Sequence, residues 1–311
     1  MLKRVFIIEK TKDEHSDAVV SEMRRAAESL RQEGFISSIV PACSAEEAID
    51  AVRVNSAASG TEDTLFLCTD SELLSELLQA GACAIGYSHA DNPGERFPGA
   101  PYIVQEPDLV DADSYVKMYE RAAGLPWTIL ETERCFVREF TAEDLDGIYA
   151  LYDEEARRFL EPPSRDRAHE LAILRAYIDR VYGLYGFGHW AVFLKEDPGT
   201  LVGRVGYSAI TSRQEREAQA LNTACPDADF GFLILGDRRG KGIAGEVCRA
   251  LLRYGFSELG FSCIRADARN DNAASIRLLK KLGFVPVGSC LPEKSGEQGD
   301  KTLFILNLKD V

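Results

Sequence analysis

The stretch DFGFLILGDRRGKGIAGEVCRALL, residues 229–252, decides how this 311-residue chain is read. An apolar strand runs into a turn carrying Gly240, Gly242 and Gly245, and the turn opens a helix. The first helical turn leaves main-chain N–H groups without intrahelical partners at the positive end of the helix dipole, a combination that attracts phosphate. Glycine removes Cβ atoms where a pyrophosphate must approach the backbone, and Arg239 and Lys241 add positive charge beside it.

Read literally, GKGIAG (240–245) fits the GxGxxG dinucleotide fingerprint. Its surroundings do not: the motif lies late in the chain, behind an antiparallel hairpin, so the two βαβαβ halves of a dinucleotide-binding domain are missing. A Walker A loop also fails, because the spacing from Gly236 to Gly240 is one residue short and Gly242 stands where a hydroxyl should hold magnesium.

Working outward, RCFVREF, TAEDLDGIYALYDEEARR, AHELAILRAYIDRVYG, HWAVFLKE, TLVGRVGYSAI and DFGFLIL read as strand, helix, helix and three strands. DPGT (197–200) is the expected hairpin turn, which makes these strands antiparallel. Downstream come the helix IAGEVCRALLRYGFSELG, the strand SCIRADA, the helix AASIRLLKKLG and the strands FVPVG and KTLFILNL. Two segments read as mobile loops, RQEREAQALNTACPDA (213–228) and SCLPEKSGEQGD (289–300).

The first half has another rhythm. Short apolar runs (LKRVFIIE, FISSIVPA, TLFLCT, CAIGYSH, PYIVQE) alternate with helical patterns, as in βα units on a parallel sheet. The expected fold class is therefore α/β, with a small open Rossmann-like domain over 1–124 and a second domain over 131–311. AGLPWT, with Gly124 and Pro126, places the boundary near residues 124–133.

Composition narrows the function. Hydrophobic residues make up 45% and no run approaches the roughly 20 apolar residues that span a bilayer, so no membrane partner is expected. The N-terminal apolar stretch is four residues long and is followed by acidic residues, unlike a signal peptide. With 36 basic and 50 acidic residues the net charge is -14, which disfavours nucleic acid as a partner. The eight cysteines form no CxxC pair, a pattern of reduced thiols in a cytoplasmic protein. His15, His89, His169 and His189 lie far apart along the chain, so no metal site is expected from their spacing.

A second motif, ARNDNAASIRLLKKLGFVPVG (268–288), places Asn272, Ser275, Lys281, Gly283 and Phe284 on and just after a short helix. Together with RGKGIA (239–244), it resembles the GNAT superfamily of acyl-CoA-dependent N-acetyltransferases, whose pyrophosphate loop follows R/QxxGxG/A. The resemblance covers roughly 131–311. ERCFVREFTAEDLDGIYALY, GHWAVFLKE and NxxSxxLLxKxGF are similar to the branch that acetylates ribosomal-protein N-termini and related amines.

The resemblance implies a mixed, largely antiparallel sheet with flanking helices, in which DFGFLIL and SCIRADA splay apart to admit acetyl-CoA as co-substrate. The backbone of Phe232, Leu233, Ile234 and Leu235 would pair with the pantetheine amides, and a main-chain N–H near Leu233 would polarise the thioester carbonyl. Arg239, Gly240, Lys241, Gly242, Ile243 and Ala244 would cradle the pyrophosphate, and Asn272 would bond the pantetheine arm. Asp229 would be the base, with Asp227 and Glu246 as lesser candidates, and Ser275 would lie near the departing sulfur. Many members carry a Tyr general acid where this chain has Leu279, so the proton would come from Ser275, water or a Tyr elsewhere such as Tyr207. The implied reaction is direct acetyl transfer in a ternary complex to a primary amine, either a peptide N-terminus or a small amine. A non-catalytic acyl-CoA sensor and a dinucleotide-binding protein are the alternatives.

His189 and Trp190 alternate on a strand, so Trp190 is assigned to the core, while His189 either lines the amine pocket or is exposed. Tyr177, Tyr182 and Tyr185 either pack or border the acceptor entrance. In the N-terminal half LFLCTDS and GACAIGYSH faintly resemble a haloacid-dehalogenase-type core, with Thr69 at its second motif. Glu9 stands where that family needs its aspartate nucleophile, so phosphatase chemistry is not expected. Either Glu9, Thr69, Asp70 and His89 meet at the ligand-binding edge of the parallel sheet, or, as the favoured reading, the domain has lost its chemistry and serves binding, regulation or assembly.

Overall fold

The computed structural model describes residues 1–11, 15–56, 60–221, 223–290 and 301–310. Two compact units divide the chain, Met1–Trp127 and Thr128–Val311.

In the first unit the strands β1 (Arg4–Lys10), β2 (Ile36–Ala42), β3 (Thr64–Cys68), β4 (Ala84–Tyr87) and β5 (Ile103–Val104) form one parallel sheet in the order β2-β1-β3-β4-β5. The helices α1 (Asp17–Gln32), α2 (Ala45–Ser56), α3 (Ser71–Gln79) and α4 (Ala112–Ala122) alternate with them. Val5, Phe6, Ile7 and Ile8 are all buried, as expected of a central parallel strand covered on both faces. The α1 helix begins at Ser16, whose side chain accepts from the Val19 N–H, and buries Val19, Met23, Ala26, Ala27 and Leu30 along one stripe. Two separate clusters, one holding Met23 and Tyr115 and the other Val52 and Leu74, sandwich the sheet. Because β2 and β3 lie on opposite sides of β1, the strand order reverses there, and the crevice beyond the carboxyl ends of β1 and β3 is the natural ligand position of such a sheet.

The second unit has an eight-stranded sheet in the order β12-β13-β11-β10-β9-β8-β7-β6. Its strands are β6 (Thr128–Glu131), β7 (Cys135–Arg138), β8 (His189–Leu194), β9 (Asp197–Ala209), β10 (Ala228–Ile234), β11 (Cys263–Arg269), β12 (Val285–Cys290) and β13 (Lys301–Asn307). Its helices are α5 (Leu145–Leu151), α6 (Arg167–Tyr185), α7 (Ser212–Ala220), α8 (Ile243–Ser257) and α9 (Ala273–Lys281). All neighbours are antiparallel except β10 and β11, which pair in parallel only at Ala228↔Ile264 and Asp229↔Arg265. Beyond these two steps the strands are no longer partners, and the sheet opens. GKGIAG sits on this mixed sheet, which is not a dinucleotide-binding architecture.

Several local expectations change. The hairpin turn is Lys195–Glu196, since Leu194 pairs with Asp197, and DPGT instead lies inside β9, where the register shifts. Pro198 has no N–H to give a ladder, and a bulge is where a strand tolerates it. The segment expected as a loop from 213 contains α7, a polar helix held by a capping box between Thr211 and Gln214 and by the Arg213–Glu217 pair at 3.1 Å. TAEDLDGIYALYDEEARR is not one helix but the short α5 flanked by single turns at Ala142–Asp144 and Ala156–Arg158. Thr128–Glu131, expected as linker, is the edge strand β6. Residues 289 and 290 belong to β12, and the rest of the second expected loop, 291–300, lies outside the described residues.

Candidate functional site

A cavity of about 780 Å³ lies where β10 and β11 part, and its wall includes Asp229, Phe232, Ile234, Gly240, Gly242, Asn272 and Ser275. The two sequence motifs are thereby brought to one place. Its size is that of a small-molecule site.

The glycine loop forms the floor. Gly240 and Gly242 have φ of +74° and +83°, the left-handed region in which a side chain is strained, and Gly242 is the N-cap of α8. Arg239 does not point its charge freely at this loop. Its guanidinium pairs with Asp153 (3.0 Å) and Glu155 (2.8 Å), and its Nε donates to the Ile234 carbonyl (2.9 Å), so it ties the end of β10 to the segment after α5. Lys241 does not line the cavity; its carbonyl accepts from Arg134 Nη1 at 3.0 Å. Arg249 and Lys281 do line the cavity, and sequence reasoning had not singled out Arg249.

The strand wall departs from expectation by one residue. The Leu235 N–H donates to the Val202 carbonyl (2.9 Å), which sets the parity of the β9–β10 ladder. Antiparallel pairing turns main-chain groups alternately to either side, so those of Leu233 and Leu235 face β9, while those of Phe232 and Ile234 face the opening. The main-chain N–H groups near Leu233 that reach the opening are thus those of Phe232 and Ile234. Leu235 itself packs against the cluster that holds Phe140 and Leu145 and does not line the cavity.

On α9, Asn272 is the N-cap, with Oδ1 accepting from the Ser275 N–H at 3.1 Å, and both residues line the cavity. Leu279 is buried in the core. Tyr207 cannot replace the missing tyrosine: it is buried, and its hydroxyl donates to the Leu251 carbonyl at 2.7 Å. Burial pushes that phenol far above its ordinary value.

Of the three candidate carboxylates, Asp229 and Glu246 line the cavity and Asp227 does not. Asp229 pairs at 3.1 Å with Arg265, a buried residue of β11 whose guanidinium also lies 3.6 Å from Glu217 on α7. Asp227 is otherwise engaged, its Oδ2 accepting from the Ser262 N–H (2.7 Å) and the Cys263 N–H (2.9 Å). Glu246 braces α8 to the β6–β7 turn by accepting from Thr132 Oγ1 (2.7 Å) and the Arg134 N–H (2.9 Å) and pairing with the Arg134 guanidinium (2.7 Å). Burial opposes its ionisation, but these donors prevail and hold it below the ordinary carboxylate range.

His189 also lines the cavity. Its Nε2 lies 3.2 Å from Ser208 Oγ, and Ser208 faces Asp229 across the β9–β10 ladder. Burial, and then the Arg204 charge, push the imidazole well below its ordinary value, so the ring is neutral. Two tyrosines of α6 fix its backbone: the His189 N–H donates to Tyr177 Oη (2.6 Å), and Tyr182 Oη donates to the His189 carbonyl (2.6 Å). Tyr177 and Tyr182 thus both pack and shape the site, while Tyr185 is 47% exposed and Trp190 is buried as expected.

With this geometry in place, comparison with known proteins is decisive. The family model described as acetyltransferase (GNAT) domain matches residues 134–285. The C-terminal half of the chain is a GNAT acetyltransferase domain. The GNAT domain is 29% identical over 161 residues to the uncharacterized N-acetyltransferase YoaA of Bacillus subtilis (strain 168), covering 51% of this chain and 84% of that one. It is 26% identical over 161 residues to the uncharacterized N-acetyltransferase p20 of Bacillus licheniformis, covering 51% and 83%. Among solved structures, the ribosomal-protein-S5-alanine acetyltransferase from Vibrio fischeri matches with 19% identity and a TM-score of 0.47, over 58% of this chain and 97% of that chain.

Among the described residues no helix is long and apolar enough to cross a membrane. Within the first unit, Thr69 is buried with its hydroxyl donating to the Ile8 carbonyl at 3.2 Å, a bond that ties β3 to β1. His15 and His89, far apart in sequence, meet there with ring centroids 4.9 Å apart.

Proposed function

We propose that the GNAT domain transfers the acetyl group of acetyl-CoA to a primary amine, a peptide N-terminus or a small amine, by direct attack in a ternary complex. The observation that carries this reading is the parting of β10 and β11 directly above the glycine loop, which joins both motifs in one cavity. Acetyl-CoA would lie with its pyrophosphate on the main chain of 240–244 at the α8 N-terminus. Phe232 and Ile234 would bond the pantetheine amides, and one of their N–H groups would polarise the thioester carbonyl. Asn272 would meet the pantetheine arm. Arg239 would act by holding the loop.

In the transfer, the amine lone pair attacks the thioester carbon, the C–S bond breaks, a base receives the proton of the amine, and the thiolate takes a proton from Ser275 or water, which the proton held by the base then replaces. Asp229 is the proposed base, by its place on the cavity wall. A second assignment rests on a specific observation: Arg265 already balances the Asp229 charge, whereas His189 stands in the same cavity as a neutral imidazole whose Nδ1 is buried and, among the described residues, has no hydrogen-bond partner. The expected localisation is cytoplasmic.

The test is calorimetric titration of the full chain with acetyl-CoA, followed by turnover on a panel of primary amines with Asp229→Asn, His189→Gln and Ser275→Ala. Micromolar binding and turnover support the reading. Failure to bind acetyl-CoA or CoA sinks it, and binding without turnover on any amine would favour an acyl-CoA sensor.

A further inference from the structure

We propose that the first unit holds a divalent metal ion of the zinc class at His15, His89 and Asp91. These residues each bring one donor atom to within 4.8 Å of the others. They gather in the crevice beyond the carboxyl ends of β1 and β4, next to the reversal of strand order, where open α/β sheets bind ligands.

The decisive residue is His15. Its side chain is 5% exposed, and among the described residues neither ring nitrogen has a hydrogen-bond partner. Nε2 lies 3.6 Å from Glu9 Oε1, and Nδ1 lies 3.9 Å from Asp91 Oδ2, both too long for hydrogen bonds. A neutral imidazole always carries one N–H, and burying it without an acceptor costs about 1–3 kcal/mol. A cation removes the conflict. Ligand atoms about 2.0–2.1 Å from a tetrahedral ion stand roughly 3.3 Å apart, so a small contraction of the Nδ1–Asp91 gap makes a coordination edge. Glu9 then receives the N–H on the far side of the ring, the carboxylate–histidine arrangement that orients metal-bound imidazoles.

The other two donors are held in place. Asn92 Oδ1 accepts from the His89 N–H (2.6 Å), and Asn92 Nδ2 donates to the Thr69 carbonyl (2.9 Å) and the Tyr87 carbonyl (3.1 Å), pinning the turn to the ends of β3 and β4. Asp91 Oδ2 accepts from the Ser16 N–H at 2.6 Å, which fixes the carboxylate and leaves a second lone pair on that oxygen, the one 3.9 Å from His15 Nδ1, for a cation. The Asp91 N–H approaches His89 Nδ1 at only 3.3 Å, a weak contact that keeps a lone pair on that ring. Two imidazoles and one carboxylate suit zinc better than magnesium or calcium, which prefer all-oxygen sets. Three protein donors leave a tetrahedral ion one position for water or a small anion.

The test uses the full chain with Cys43→Ser and Cys225→Ser, which remove the thiols exposed among the described residues, stripped of metal and titrated with Zn²⁺ by calorimetry and with Co²⁺ by absorption. One ion per chain, bound at least about tenfold more weakly in His15→Ala and in Asp91→Asn and about tenfold more weakly in Glu9→Gln, supports the site. The Co²⁺ spectrum should show tetrahedral bands without thiolate charge transfer. Circular dichroism of each metal-free variant separates ligand loss from unfolding, and Asp91→Asn keeps the side-chain shape. Absence of stoichiometric Zn²⁺ binding at about 10 μM protein, or binding unchanged in both His15→Ala and Asp91→Asn, overturns the proposal.

Discussion

The imidazole of His189 lies over Gly231, two strands away. His189 pairs with Gly206 and Gly206 with Gly231, so the three share one face of β8, β9 and β10. A Cβ on Gly231 would stand 3.0 Å from His189 Cε1, and one on Gly206 would collide with the Gly188 carbonyl oxygen. The glycines clear a shelf along which the ring reaches the cavity. Gly231→Ala is therefore expected to push the ring aside, costing about 1–3 kcal/mol of stability by overpacking. Acetyl-CoA affinity should hold while kcat on the amine falls, since Gly231 main-chain groups face β9 and not the opening. Denaturant unfolding and steady-state kinetics read the two effects. Unaltered kcat would remove His189 from the acceptor site.

The neutral state of His189 has a pH signature. Its folded pKa is depressed, so the unfolded chain binds a proton more readily as pH falls below about 6.5. Stability contributed by the neutral ring is complete above that value and is lost progressively as pH falls towards the folded pKa. His189→Gln should flatten the slope of unfolding free energy between about pH 6.5 and 5 relative to the parent chain. Equal slopes in the two proteins would mean that the ring is not held neutral.

Arg239 separates a positional role from an electrostatic one. The pairs with Asp153 and Glu155 are partly exposed and stabilise little by themselves. Their geometry matters more, because the same guanidinium holds the Ile234 carbonyl. Arg239→Ala is expected to weaken acetyl-CoA binding about tenfold, or about 1.4 kcal/mol. Asp153→Asn removes a negative charge near an anion site, which simple attraction says should tighten binding. If Arg239 works by holding the loop, Asp153→Asn weakens binding several-fold instead. Isothermal titration of both variants decides, and tighter binding in Asp153→Asn would restore Arg239 as a direct phosphate partner.

These relationships show what was legible in the chain. Local patterns carried the alternating βα units, the helix α8 and its glycine turn, because each depends on spacing within one segment. The glycine loop and Asn272–Ser275 were found for that reason. What stayed hidden depends on pairing between segments. The parity that favours Phe232 and Ile234 over Leu233 comes from the register with Val202, and the Arg265 partner of Asp229 comes from a strand more than thirty residues away. The polar α7 lacks an apolar stripe, burying only Gln214 and Ala218, so periodicity had little to detect. The meeting of His15 and His89 likewise follows from sheet order, which spacing along the chain does not reveal.

The two tyrosines that hold His189 are predicted to differ in effect. Tyr182 is buried, and its hydroxyl both donates to the His189 carbonyl and accepts from the Phe140 N–H at 3.1 Å. Removing it in Tyr182→Phe strands a buried acceptor and a buried donor, an expected loss of about 2–4 kcal/mol. Tyr177 Oη accepts a single bond, from the His189 N–H, so Tyr177→Phe leaves one main-chain donor unpaired and costs about 1–2 kcal/mol. Both variants release one side of the His189 backbone. If His189 serves the amine, both should lower kcat by similar factors despite unequal stability, with acetyl-CoA affinity unchanged. Kinetics below the unfolding temperature of the weaker variant provide the comparison. A fall in kcat that merely tracks the stability loss would reduce the tyrosines to packing, and a fall in acetyl-CoA affinity would place His189 at the cofactor end of the cavity.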